Sequence, residues 1–347
     1  LDPLNFKVNA KTIDSKITFN NKPIGLEYIQ TQMSLNSLIK NQLVASQIEI
    51  STKPILLKNF VSFIRSINNR PELYFLERFI KKGYLIADLK FNIDEFGAIK
   101  NDYKVNGLLK EGEISVFKIN KIEKINFNFN ITENNFDFRD ISFNTNNINF
   151  LSNRLDIKKD KKDYLLEGSL RNKKSILNDQ ILQIVKLKYP QFDLINTNFE
   201  SKNDFTFNIN DKFKVKNLLI NSSILINSSQ LKKNNLINKN FIEVNELIDL
   251  KDHEIKALYA NKKLSFEGKG QVKLQNKFES IDYKIKNNGS NLNLVSNIEL
   301  SELDIKNQNL IREYLPKTKD ILNLEDHKIQ IIYQDDILTV EGLGKIK

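Results

Sequence analysis

Two histidines, His253 and His327, carry the only imidazoles in this 347-residue chain, and cysteine is absent. Each stands among acids, in Leu250-Lys251-Asp252-His253-Glu254 and in Glu325-Asp326-His327-Lys328. Imidazole beside carboxylate is the pairing that a proton relay or a metal site uses. Neither segment supplies further ligands at metal spacing, so both histidines read as polar loop residues. Without thiols there is no disulfide, no thiolate nucleophile and no cysteine zinc site. Other motifs of phosphate, acyl and metal chemistry are missing too. There is no glycine-rich phosphate loop, no Gly-x-Ser-x-Gly elbow, no His-Glu-x-x-His pair and no carboxylate cluster at calcium-loop spacing. Catalysis needs titratable groups gathered in one concave site. The sequence points away from an enzyme and implies no catalytic residue, metal or cofactor.

Charge is equally undirected. The formal net charge is +10, but 53 basic residues are scattered among 43 acidic ones. Nucleic-acid binding asks for a basic stripe interleaved with exposed aromatics. The short basic run 158–162 is interrupted by Asp160 and flanked by Asp156 and Asp163, and the aromatics alternate with asparagine on what read as buried strand faces. Nucleic acid is therefore not an expected partner. No stretch approaches the roughly 18 consecutive apolar residues that cross a bilayer. The chain opens at Leu1-Asp2-Pro3 with neither Met nor an apolar leader, which reads as a fragment from which an anchoring segment has been removed.

What positions the side chains is strict alternation, clearest at Ile125, Phe127, Phe129 and Ile131 with asparagine at 126, 128 and 130. Period two means a half-buried strand. Similar runs occur at Leu4, Phe6, Val8; Leu89, Phe91, Ile93; Phe205, Phe207, Ile209; Val272, Leu274; Ile281, Tyr283, Ile285; and Ile329, Ile331, Tyr333. Turn signals at 94–97, 134–135, 210–211 and 287–289 join them as antiparallel neighbours. Helical spacing is predicted from Pro54 to Ile67, from Pro71 to a capping Gly83, from an N-capping Ser175 to Tyr189, and from Leu310 to Leu315. Four strands end alike, at Tyr103-Lys104-Val105-Asn106-Gly107, Tyr164-Leu165-Leu166-Glu167-Gly168, Leu264-Ser265-Phe266-Glu267-Gly268 and Leu338-Thr339-Val340-Glu341-Gly342. Such a glycine marks either a bulge that lets a sheet curl or a hairpin turn.

The fold class expected is mainly β, a long curled antiparallel sheet with a few short amphipathic helices. A strand-rich segment 1–174 with a helical insert 54–83 is followed by a strand-rich segment 175–347 opening with the helix 175–189, the two making one continuous groove. The helical insert reads as a cover for a sheet edge, or as a plug or lateral gate. So much apolar strand face with so few covering helices needs a partner for its inner surface. Acyl chains would serve, since each buried methylene is worth about 0.8 kcal/mol and no catalytic group is required.

Two blocks carry a resemblance: the run from Ile48 to Ile64 through Lys53-Pro54, and Gly83 to Gly107 with its Asp88-Leu89-x-Phe91 strand, Asp94-x-x-Gly97 turn and Asn106-Gly107 end. With the later asparagine-rich strands they resemble the AsmA-like family, in particular its large periplasmic members related to YhdP and TamB. The resemblance implies a β-groove in a Gram-negative cell envelope, anchored to the inner membrane by an N-terminal helix. It further implies lipid transport, with phospholipid held or conducted toward the outer membrane in support of outer membrane biogenesis, other envelope proteins as partners, and a periplasmic location. The residues expected to line the groove are Phe91, Ile93, Phe127, Phe129, Ile131, Phe205, Phe207, Ile209, Leu292 and Leu294. The alternative is a structural or adhesive β-sandwich, without lipid cargo, whose two sheets seal each other.

Overall fold

In a computed structural model, residues 7–34, 45–67, 71–94, 96, 98–116, 120–160, 163–179, 193–210, 214–232, 245–287, 292–306, 320–334 and 337–346 are described. The protein is mainly β, with nineteen strands in one antiparallel sheet that does not close and two short helices among the described residues. By compactness it divides into two units, Leu1–Ser169 with Asn208–Lys214, and Leu170–Phe207 with Val215–Lys347.

The first unit runs β1 (Lys7–Ile13), β2 (Lys16–Phe19), β3 (Lys22–Ser34), β4 (Ala45–Thr52), β5 (Ile55–Leu56), β6 (Ile80–Asn92), β7 (Lys104–Val116), β8 (Asn120–Ile131), β9 (Asn135–Thr145) and β10 (Ile148–Asp160). Each strand pairs with its successor, except that β1 and β2 share one edge of β3, and β4 and β5 share one edge of β6. Tight two-residue turns at Asn20-Asn21 and Asn146-Asn147 have positive φ at both positions. Asparagine tolerates that conformation, and the resulting turn matches the twist of its flanking strands.

The second unit contains the second half of β11 (Asp163–Ile176), most of β12 (Leu194–Asn210), and all of β13 (Val215–Lys232), β14 (Leu247–Ala260), β15 (Lys263–Lys273), β16 (Phe278–Asn287), β17 (Leu292–Lys306), β18 (Ile321–Gln334) and β19 (Ile337–Ile346). From β13 to β19 every strand pairs antiparallel with the next. Register shifts recur inside strands, at Leu109/Gly112, Glu123/Asn126, Lys251/Glu254 and Glu325/Lys328. Each holds one polar residue at positive φ: Glu111, Lys124, Asp252 and Asp326. Such bulges add local twist to a sheet. Their loosened backbone groups find partners: Asn126 Oδ1 accepts the N–H of Glu111 at 3.0 Å, and its Nδ2 donates to the Lys124 carbonyl at 2.8 Å.

Helix α1 (Leu57–Ile67) starts three residues after Pro54, because Ile55 and Leu56 first pair with β6. It buries Val61 and packs Phe60 and Phe63 on Ile24, Leu26 and Ile55, so it lies over the apolar face and not along an edge. Its Ser66 carbonyl, in the last turn, accepts from Asn20 Nδ2 at 3.3 Å, meeting a need of the helix C-terminus, and Lys22 Nζ donates to the Ser62 carbonyl at 3.2 Å. Helix α2 (Pro71–Phe79) is held by Arg65 Nε to Glu77 Oε2 at 2.9 Å and by the Arg65 guanidinium over the Tyr74 ring.

Two helix expectations are corrected. Gly83 caps no helix: α2 ends at Phe79, and Gly83 sits inside β6 at φ 128°, against the Gly112 backbone. Ser175 is no N-cap, since it lies within β11; the remainder of that predicted helix, from 180 on, and the one at 310–315 lie outside the described residues. The strand-end glycines are also neither turns nor bulges at the two sites where space decides. A Cβ on Gly107 would collide with the Ile86 carbonyl oxygen and lie 2.5 Å from Phe129 Cζ, and one on Gly268 would lie 2.5 Å from Tyr283 Cζ. Each glycine is a notch that lets a ring on the neighbouring strand lie flat across it. Gly107→Val should therefore cost about 1–3 kcal/mol through overpacking, read as a lower urea midpoint at unchanged slope; an unchanged midpoint would refute the notch.

Candidate functional site

Antiparallel register stacks side chains into rows across strands. In the first unit one row runs Ile29–Ile50–Leu89–Val105–Ile131–Phe136–Ile157, from β3 through β4, β6, β7, β8 and β9 to β10, with every neighbour directly opposed. The adjacent row is Ala87–Gly107–Phe129–Phe138–Leu155. On the opposite face lie polar residues such as Glu49 and Lys90, paired at 3.0 Å. All seven named residues of the first row are half-buried, neither sealed nor open. No second sheet exists among the described residues of this unit to close over them.

Of the expected lining residues, Phe127, Phe129 and Ile131 are brought together, with Leu85, Ala87, Leu89, Val105 and Phe138. Phe127 meets Phe138 edge-on at a 5.4 Å centroid distance and Phe129 at 6.2 Å, arrangements that aromatic quadrupoles favour. Phe91 lies opposite Ile48, and Ile93 bridges to Ile99 across the β6–β7 hairpin and donates its N–H to the Ser46 carbonyl at 3.0 Å. Phe205, Phe207 and Ile209 occupy alternate positions of β12, all half-buried, with the two rings 5.9 Å apart. Leu294 lies between Ile285 and Tyr333 on β17, and Leu292 begins that strand. The helical insert, expected as a cover for a sheet edge or a plug or gate, supplies Leu57 and Phe60 of α1 over the Leu85–Phe129 end of the face. The sequence reading missed Phe136 and Phe138, although their alternation with Asn135 and Asp137 was there to be read.

The histidines are not loop residues. His253 is in β14 at 3% exposure and His327 in β18 at 7%. Both follow a positive-φ aspartate in a bulge, and both rings lie over a glycine of the next strand, Gly270 and Gly344. His253 Nε2 donates to the Gln271 carbonyl at 3.0 Å, leaving Nδ1 to accept from the Tyr283 hydroxyl at 3.3 Å. That is the pattern a neutral imidazole makes, whereas a protonated ring would donate from both nitrogens. Burial pushes the His253 pKa below its ordinary range, and burial pushes the Tyr283 phenol up to about 12. Among the described residues no group of three or more histidine, aspartate or glutamate side chains is placed to hold a metal.

These matching bulges belong to a repeated hairpin. Residues 247–272 align without a gap on 321–346, sharing Leu250/Leu324, Asp252/Asp326, His253/His327, Ile255/Ile329, Tyr259/Tyr333, Leu264/Leu338, Glu267/Glu341, Gly268/Gly342 and Gly270/Gly344. The strand-end glycines were the visible tip of this longer repeat. In the same unit an open cavity of about 1140 Å³ is bordered by Ile224, Ile255 and Tyr283 and by lysines such as Lys269 and Lys284. Those two lysines face Glu254 at 3.1 Å and Glu267 at 3.6 Å, so the border carries paired charge and not a basic stripe.

Because the fold holds His253 neutral, its contribution is intact above about pH 6.5 and is lost as pH falls below it, where the unfolded chain gains a proton that the folded one resists. The melting temperature should drop between pH 7 and 5, and His253→Gln should flatten that drop; an identical slope in the variant would contradict the assignment. No family model matches the chain, and neither a curated protein nor a solved structure matches it.

Proposed function

We propose that this protein holds or conducts phospholipid acyl chains along its apolar strand face, as a non-enzymatic component of a Gram-negative envelope. The observation that carries this reading is the Ile29-to-Ile157 row: continuous, apolar, half-buried, and without a second sheet over it among the described residues. In a sealed sandwich such positions would be closed from solvent on both sides. An acyl chain laid along the row gains about 0.8 kcal/mol for each methylene it buries, and neighbouring residues can pass it on without any catalytic group. The polar opposite face keeps the sheet soluble without recruiting a charged partner. The resemblance to the AsmA-like family supports the same reading and adds the expectation of a periplasmic protein tethered to the inner membrane by a helix preceding this sequence.

Lipid extraction and mass spectrometry of the purified chain should find phospholipid, and a fluorescent phospholipid should bind at saturable sites. Ile131→Glu and Phe136→Glu, each placing a charge in the open row, should reduce that binding about tenfold or more while circular dichroism stays unchanged. Absence of lipid from the wild type, or loss of folding in both variants as in a sealed core, would overturn the proposal.

A further inference from the structure

We propose that the polar face of the second unit carries a binding site for a phosphate monoester, built on two registered rows of side chains. One row is Ser223–Lys256–Glu267–Lys284 and the next is Asn221–Leu258–Ser265–Lys286. Each runs from β13 through β14 and β15 to β16 with every neighbour directly opposed. Alternation sets both rows on one face, opposite to that of Ile255, Phe266 and Ile285. Together they line a cavity of about 430 Å³, a size that suits a small organic ligand. It adjoins the cavity of about 1140 Å³ and shares Lys256 and Lys284 with it. The site stands on the second unit alone and does not rest on the acyl-binding reading.

Charge decides what the cavity takes. Its two acids are already matched, since Glu267 lies 3.6 Å from Lys284 and Asp204 lies 3.8 Å from Lys202. Lys256 stands between Ser223 and Glu267, and Lys286 stands opposite Ser265, yet among the described residues neither ammonium pairs with an acid. Nor do the side chains of Asn221, Ser223 and Ser265 hydrogen-bond to any described residue. Elsewhere on this face polar side chains find each other: Asn297 Nδ2 donates to Asp282 at 2.8 Å, and Gln330 Nε2 donates to Asn297 at 3.0 Å. What the cavity leaves unspent is therefore donor capacity with positive charge, in two ammonium groups, two hydroxyls and an amide. A phosphate monoester carries close to two negative charges at neutral pH, which the two ammonium groups balance. Lysine meets phosphate as a point charge, and the hydroxyls and the amide N–H donate to the oxygens that remain. Leu258, 40% exposed between Asn221 and Ser265, offers an apolar surface to the carbon skeleton of the ester.

Calorimetric titration of the full chain with glycerol phosphate should show saturable binding, and glycerol should show none. Lys256→Gln and Lys286→Gln, both at exposed strand positions, should each weaken that binding about fivefold. Lys328→Gln, on β18 outside the cavity, should leave it unchanged. Sedimentation with phosphatidylcholine vesicles, with and without phosphatidic acid, separates the two sources of a phosphate monoester. Binding of glycerol phosphate without sedimentation assigns a soluble ester. Sedimentation that needs phosphatidic acid and is lost in the same two variants assigns a lipid headgroup. No saturable binding of either probe, indifference to both cavity substitutions, or an equal loss in Lys328→Gln would overturn the proposal.

Discussion

Among the described residues no second sheet covers the apolar strand face, so most of its side chains must find cover from their neighbours across the ladder. Where one strand of the first unit places Ile131, the next places Phe136 and the one before places Val105, so each side chain finds cover from its direct neighbours across the ladder. Such cross-strand pairs are worth about 0.2–1 kcal/mol each, and it takes many in register to hold the sheet. They hide only part of each residue. That partial exposure is the physical basis for proposing the face as a binding surface.

Two local devices keep that ladder from going flat or jamming. Bulges around Glu111, Lys124, Asp252 and Asp326 add twist at the expense of left-handed backbone in residues other than glycine. Glycine notches at Gly107 and Gly268 let a phenylalanine or tyrosine lie across the neighbouring strand. Where the two devices meet, in the Asp252-His253 and Asp326-His327 bulges, the imidazole fills the space over a glycine as a flat packing group. The histidines thus belong to the architecture of the sheet.

Period-two alternation made much of this legible in the sequence, because facing in a strand is set by parity alone. Phe127, Phe129 and Ile131 could be placed on one face from their asparagine neighbours. The helical cover was half legible: Pro71 does open α2, but Gly83 misled, since a glycine past an apolar helix and a glycine at a strand bulge look the same without their partners. Parity also fails at a bulge, which is why His253 and His327, flanked by charge, read as loop residues although they are buried. Nor could alternation say whether the face is sealed, because that depends on the absence of a second sheet. The ungapped repeat of the Asp-His hairpin was legible too, although only its strand-end glycines, Gly268 and Gly342, were read from it.

The chain contains no tryptophan, so a single one placed at Ile131 or Phe136 reports on the open row alone. With vesicle-derived phospholipid loaded on the protein, acyl chains brominated near their middle should quench its fluorescence, and head-group-labelled lipid should not. Quenching by the brominated chains is the result predicted for an acyl-binding face. Emission that is buried, unquenched and unchanged by lipid would contradict it.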